Sequence, residues 1–267
     1  MSARRLLFGG LLVGCLALAL LFLCLPILAM FVDVPPGDLV SSLGEPDALD
    51  ALWLSLRTSL AALAIIIVVG TPAAYFLGTR SFRGHSLVTT LIELPLVLPP
   101  AVAGIALLAA LGPKGLLGGT LEDAGIALVL QTAGVVVALT FVAAPFYMRQ
   151  AQEAFAAVDR AQLEAARTLG SSEATAFARV AIPAAGQGLT AGLALAWGRA
   201  LGEFGATLMF AGSFPGITET VPLAIFSRFA LDFTSALALS AVLVVVSAAL
   251  LLSVKLLGRS PLLGGPG

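Results

Sequence analysis

The sequence predicts an all-α polytopic membrane protein with six transmembrane helices. Three observations carry this expectation: an extreme apolar composition, six apolar runs of spanning length, and a one-sided distribution of basic residues. Of the 267 residues, 59% are hydrophobic and only 11% are charged, with a mean hydropathy of +1.06. A soluble domain carries about 25% charged residues, so this chain cannot cover itself with polar surface. A soluble enzyme is therefore excluded. So is a nucleic-acid binder, because a formal net charge of −1 offers no bulk attraction to phosphate backbones.

A helix needs about 20 mainly apolar residues to cross the hydrocarbon core. The first run, Leu6–Phe31, follows Arg4 and Arg5 and contains Leu12-Val13-Gly14-Cys15, which resembles a lipoprotein cleavage box. It continues well past the 7–15 residues typical of a signal-peptide core, so an uncleaved membrane helix is expected. Leu52–Leu77 is the second span, after a loop rich in acidic residues (Asp33, Asp38, Glu45, Asp47, Asp50). The third, Leu87–Leu111, holds Glu93, Pro95, Pro99 and Pro100 and cannot be straight, since each proline removes a backbone donor. Glu93 and Pro99 are accordingly candidates for lining a path. The fourth span is expected at Ala124–Met148, the fifth at Ala184–Ala211 and the sixth at Ala236–Leu257. Val221–Leu231 is too short to span, and Thr220 as N-cap with Pro222 in the first turn predicts a short surface helix.

With the N-terminus inside, Arg4, Arg5, Arg80, Arg83, Arg149, Arg160, Arg167, Arg179, Lys255 and Arg259 all fall on the cytoplasmic side, ten of the 14 basic residues. Only Lys114 and Arg228 fall outside. The positive-inside rule thus predicts cytoplasmic N- and C-termini.

The segment 149–183 is the long cytoplasmic loop. Asp159 followed by Gln162 reads as a capping box, and the helix it opens should close at Gly170 in left-handed geometry. Ser171 or Ser172 can cap a second helix over Glu173–Ile182, ended by Pro183. Within this hairpin, Glu164-Ala165-Ala166, then Gly170 after three residues, then Val180-Ala181-Ile182-Pro183 after nine more, resembles the EAA loop of ABC importer permeases. Val180 and Ile182 stand where that pattern has Ile and Leu. The resemblance implies a type I importer (MetI-like) permease architecture and a single permease domain over 1–267, with its core at 45–257. It also implies that Glu164, Ala165, Ala166, Gly170, Val180, Ile182 and Pro183 couple the chain to a separate ATPase subunit. Small alanines suit a helix lying flush in a partner's groove, with Glu164 fixing its register. The chain has no GxxxxGK[ST] phosphate loop, so ATP and magnesium are expected on that partner and no cofactor on this chain.

In the fifth span, Arg199 and Glu203 are four apart and can pair across one helix face. Ionisable groups at such depth usually face a bundle interior or a water path, so mutual neutralisation and a role in the path are both open. Glycines 198, 202 and 205 lie near them, and Gly188/Gly192 form a second small-residue pair suited to close helix approach. The string Gly198–Gly212, with Gly202-Glu203-Phe204-Gly205 at its centre, resembles the molybdate permease subfamily, and so does Pro215-Gly216 followed by Thr218, Thr220 and Pro222-Leu223-Ala224-Ile225. Sulfate permeases are similar through the Gly-Glu-Phe-Gly core. Ser213 stands where molybdate permeases commonly have Asn, which keeps sulfate and tungstate as alternatives. The resemblance implies a second copy of the chain, two ATPase subunits, an extracytoplasmic oxyanion-binding protein and surrounding lipid as partners. Thr207 and Ser213 are the hydroxyls expected to meet an anion.

The single His85 and the two cysteines, Cys15 and Cys24, cannot build a His-rich or Cys-rich metal site. A secondary carrier would predict an internal repeat with paired broken helices, and no repeat is evident between the halves. A membrane enzyme would need a cluster of carboxylates or a nucleophile with its base, and neither appears at membrane depth.

Overall fold

The computed structural model describes residues 3–35, 37 and 44–258, and every regular element among them is helical. Asp38 and Arg259 lie outside the described residues, as do the side chains of Arg4, Arg5 and Lys255. The helices are α1 (Ala3–Asp33), α2 (Pro46–Thr79), α3 (His85–Val97), α4 (Pro100–Leu111), α5 (Gly118–Asp123), α6 (Thr132–Ala156), α7 (Arg160–Thr168), α8 (Glu173–Ala184), α9 (Gly186–Leu201), α10 (Gly205–Ala211), α11 (Val221–Phe229) and α12 (Phe233–Gly258).

Four of these, α1, α2, α6 and α12, are long and apolar enough to cross a membrane alone. The count reaches six only when two bent pairs each serve as one span: α3 with α4, bent by 117°, and α8 with α9, bent by 74°. The third run is therefore no single rod. Leu98 and Pro99 are extended, with ψ of 133° and 136°, and Pro100 starts a new helix. Proline restricts the residue before it to such conformations, so consecutive prolines terminate one helix and start the next.

The expected fifth span also divides. Ala184–Ala211 is not continuous, because α9 ends at Leu201 and α10 starts at Gly205. Gly202 is a poor helix former, and the Glu203 carboxylate takes the Ala206 N–H, which leaves Phe204 non-helical at φ −125°, ψ −57°. The fourth span starts later than expected, at Thr132 instead of Ala124. Residues 124–131 form a turn and an irregular segment, with Leu130 itself at φ 59°.

Pro183 does not end the second hairpin helix. The chain passes through it because Phe177–Ala181 widen into a π-helical turn, in which Ile182 N–H reaches Phe177 O. Such a widened turn accommodates a residue that lacks a donor. The reversal into α9 comes two residues later, at Ala185.

The core lies among α2, α6 and α9, built from Ala62, Ile66, Leu139, Ala143, Tyr147 and Phe155 with Ala196 and Ala200. Gly188 and Gly192 make that packing possible: a Cβ at Gly188 would overlap Ala154 Cβ, and one at Gly192 would lie 2.9 Å from Gln150 Cβ. Polar pairs pin the same helices together. Thr71 Oγ1 and the Tyr147 hydroxyl are 2.6 Å apart, and Trp197 Nε1 donates to Ser59 Oγ at 3.1 Å. Interhelical hydrogen bonds of this kind contribute about 0.6 kcal/mol each in membranes.

The short helix α11 forms as expected, but it is not simply superficial. Val221 and Leu223 are buried, and the Val221 N–H is capped by Ser55 Oγ of α2 at 2.8 Å, not by Thr220. By contrast no part of α1's apolar window within Phe8–Asp33 is buried, and its main packing partner among the described helices is α12.

Candidate functional site

Two regions collect the residues singled out by the sequence. The first is the hairpin α7–α8. Asp159 opens α7 by accepting the Ala161 N–H at 2.9 Å, while Gln162 uses only its backbone, so half of the expected capping box forms. Gly170 closes the helix at φ +86°, in the region that side chains with a Cβ avoid. Ser172, of the two serines, caps α8 by accepting Thr175 N–H at 3.2 Å.

The hairpin sits against the end of the bundle where α2 and α6 finish. Leu163 is buried in the same core as Phe155, on which Tyr75 and Phe177 pack, and the three rings have centroids 4.7–6.1 Å apart. Ala166, Val180 and Ile182 pack on the same core, whereas Glu164, Ala165 and Gly170 remain on the exposed side and Pro183 is exposed. The motif therefore splits into anchors and a free face. Glu164 borders a polar cleft of about 210 Å³ with Arg80, Arg160, Arg167 and Glu173.

An ion pair that the sequence reading missed braces the turn. Arg167 Nε lies 2.9 Å from Glu173 Oε1, and Arg167 Nη2 donates to Glu173 Oε2 at 2.9 Å. The hydrogen bond to Glu173, reinforced by its charge, raises the Arg167 pKa above its already high ordinary value. Residues six apart across a glycine turn match no helical spacing, so no periodic signal points to them.

The second region is a junction inside the bundle, where the two breaks meet. A Cβ on Gly205 would lie 2.8 Å from Pro100 Cβ, and one on Gly104 would lie 2.7 Å from Ala206 O. Ala103, Leu107, Ala206 and Phe210 complete the contact, together with Ala138 and Val142 of α6. Arg199 and Glu203 do pair, with Nη2 2.6 Å from Oε2, although the contact is a close ion pair without hydrogen-bond alignment. Glu203 is buried at 1% exposure, and its Oε1 accepts Ala206 N–H at 2.6 Å.

The other path candidates are more scattered. Thr207 is fully enclosed, and its hydroxyl has no partner. Ser213 lies in the following loop and donates to Glu219 Oε1 at 3.3 Å. Pro99 is exposed at the α3–α4 break, and Glu93 lies 3.8 Å from Arg149 Nε on the way to the hairpin end. Only Arg199, Glu203 and Thr207, with Pro99 next to Pro100, belong to the junction. A larger cavity of about 560 Å³ lies between α2, the end of α9 at Leu201, α11 and α12, and its walls are apolar apart from Asp50 and Ser55. Such a lining suits hydrocarbon better than an anion.

Bent membrane helices thus meet at an internal junction, with a polar two-helix knuckle at one end of the bundle. The chain belongs to the family described as the binding-protein-dependent transport system inner membrane component, whose pattern matches residues 66–260. It is a membrane-embedded transport subunit of the ABC importer class. It is 40% identical over 243 residues to the molybdenum transport system permease protein ModB of Mycobacterium tuberculosis, covering 91% of each chain. Against the sulfate transport system permease protein CysW of Escherichia coli, identity is 33% over 216 residues, covering 80% of this chain and 74% of that one. In fold it resembles a chain of a bacterial alginate ABC transporter crystallised with an alginate pentasaccharide-bound periplasmic protein. That match has a TM-score of 0.72 at 17% identity and covers 96% of this chain and 93% of the other.

Proposed function

We propose that this chain forms the membrane path of an ATP-driven importer for a tetrahedral oxyanion, with molybdate as its cargo. The observation that carries the reading is the 40% identity to a molybdenum permease across 91% of both chains, against 33% for sulfate permeases, one of them matched over a similar length. The Gly198–Gly212 string, which forms the end of α9, the break and α10, supports it from within the site.

Arg80, Arg160 and Arg167 line the cleft beside the hairpin, and Arg149 lies in the last two turns of α6 leading to it. Basic residues concentrate on the cytoplasmic side, so this end faces the cytoplasm, in an inner membrane, with both termini inside. The exposed face of Glu164, Ala165 and Gly170 then meets a separate ATPase that binds ATP and magnesium. One hairpin per chain gives one docking position, so two ATPase subunits call for two copies of the chain. The opposite end, where Glu45 pairs with Arg228 at 2.6 Å and Thr132 holds Ile217 O, receives the anion from an extracytoplasmic binding protein. Closure of the ATPases moves the two hairpins together, and the aromatic cluster of Tyr75, Phe155 and Phe177 passes that movement to α2 and α6. Lipid covers the remaining apolar surface.

The test is uptake of radiolabelled molybdate into proteoliposomes holding the chain, its ATPase and its binding protein. Uptake that requires ATP and resists excess sulfate is expected. Uptake without the ATPase, or complete competition by equimolar sulfate, overturns the reading.

A further inference from the structure

Glu203 is the one fully buried charged side chain among the described residues, and its two oxygens face opposite sides of a helix break. Oε1 accepts the N–H of Ala206 in the first turn of α10, at 2.6 Å. Oε2 sits 2.6 Å from Nη2 of Arg199, in the last turn of α9. A single carboxylate thus ties together two helices that no backbone ladder joins.

The tie extends to the other broken helix. With Gly205 against Pro100 and Gly104 against Ala206, α10 has no room to rotate without carrying α4 along. The angle at the α9–α10 break and the angle at the α3–α4 break are therefore set as one. A charge at this depth is costly unless paired, so removing one partner strands the other, while removing both leaves a neutral contact. Arg199 is a quarter exposed, and the nitrogen that approaches Glu203 is its Nη2, so its charge is balanced at the end of the helix that carries it.

We propose that Glu203 is a positioning residue for transport. It holds α10, and through it α4, at the working angle, with Arg199 as its counter-charge and not as a ligand of the cargo. The proposal rests on the importer reading but not on which oxyanion is carried.

The experiment uses the complete complex in proteoliposomes, with E203Q, R199Q and the double variant R199Q/E203Q. It measures kcat and KM of molybdate uptake, ATP hydrolysis stimulated by the loaded binding protein, and the melting temperature of the complex. Each single variant is expected to lose about tenfold in the kcat of uptake with KM within about twofold, and the double variant to return to within about threefold of the parent. A double variant as slow as R199Q with a raised KM would make Arg199 a cargo ligand and overturn the proposal. Single variants that lose only melting temperature, at unchanged kcat per folded complex, would reduce the pair to a structural clip and overturn it equally. If the parent complex imports sulfate or tungstate instead of molybdate, the same cycle is read on that anion, so an error about cargo stays separate from an error about Glu203.

Discussion

The hairpin at one end of the bundle and the junction within it hold their shapes by opposite means. In the hairpin, the bonds that set its shape are local: Asp159 and Ser172 cap their own helices, Gly170 supplies the reversal, and Arg167 pairs with Glu173 six residues away. In the junction, the packing is distant, since Gly104 meets Ala206 and Gly205 meets Pro100 across about a hundred residues of sequence, and only the Glu203 bonds are local. The contrast teaches where each region is vulnerable. A hairpin built from caps and one turn loses stability in small steps, whereas a junction built from backbone contact tolerates no added volume.

The sharpest way to break the comparison is Gly104→Leu. The added Cβ would lie 2.6 Å from Met209 Cβ and 2.7 Å from the Ala206 carbonyl oxygen, and that backbone cannot rotate away. A cost of about 3 kcal/mol is expected, read as loss of monodisperse complex on detergent extraction. Near-normal extraction and melting would show that the junction yields more than its packing suggests.

Gly170→Val comes next. No atom lies within 4 Å of the new Cβ, so the penalty is conformational only, about 1–2 kcal/mol for left-handed backbone. The bundle should still assemble, while hydrogen exchange across 160–184 rises and ATP hydrolysis uncouples from uptake. Unchanged coupling would count against the hairpin as the docking element. Ser172→Ala should cost about 1 kcal/mol through the lost cap, visible as exchange confined to α8. Protection lost as far away as α2 would mean that the hairpin is less independent than its local bonding implies.

The smallest effect is a pH dependence. Asp232 caps the start of α12, and its carboxyl is held below the ordinary aspartate range first by the Ser235 hydroxyl and then by the Thr234 N–H. A depressed folded-state pKa contributes stability that is present above the unfolded value and fades as pH falls through the folded value. A slight drop in melting temperature below the ordinary aspartate range is expected, absent in Asp232→Asn.

Much of this was legible before any coordinates. Composition dictated a membrane protein, basic residues suggested an orientation, and short-range spacing marked Gly170 and the serine cap, because helix ends are chosen by residues within one turn of them. The kink at Pro99 was legible for the same reason. The break at Gly202–Phe204 was not, since an apolar run with one Arg–Glu pair reads equally well as a continuous helix until α4 is known to press on Gly205. Nor did Pro183 announce that α8 would widen into a π-turn and pass through it.

What the linear chain settled alone was the class of molecule, the number of apolar runs and the local chemistry of the hairpin, all of which depend on solvent preference or on neighbours a few residues apart. What only the tertiary structure decided was that two of those runs are bent, that their bends abut, and that Glu203 binds across one of them. Backbone contact between remote segments has no periodicity to betray it, because it arises only once the helices share a volume.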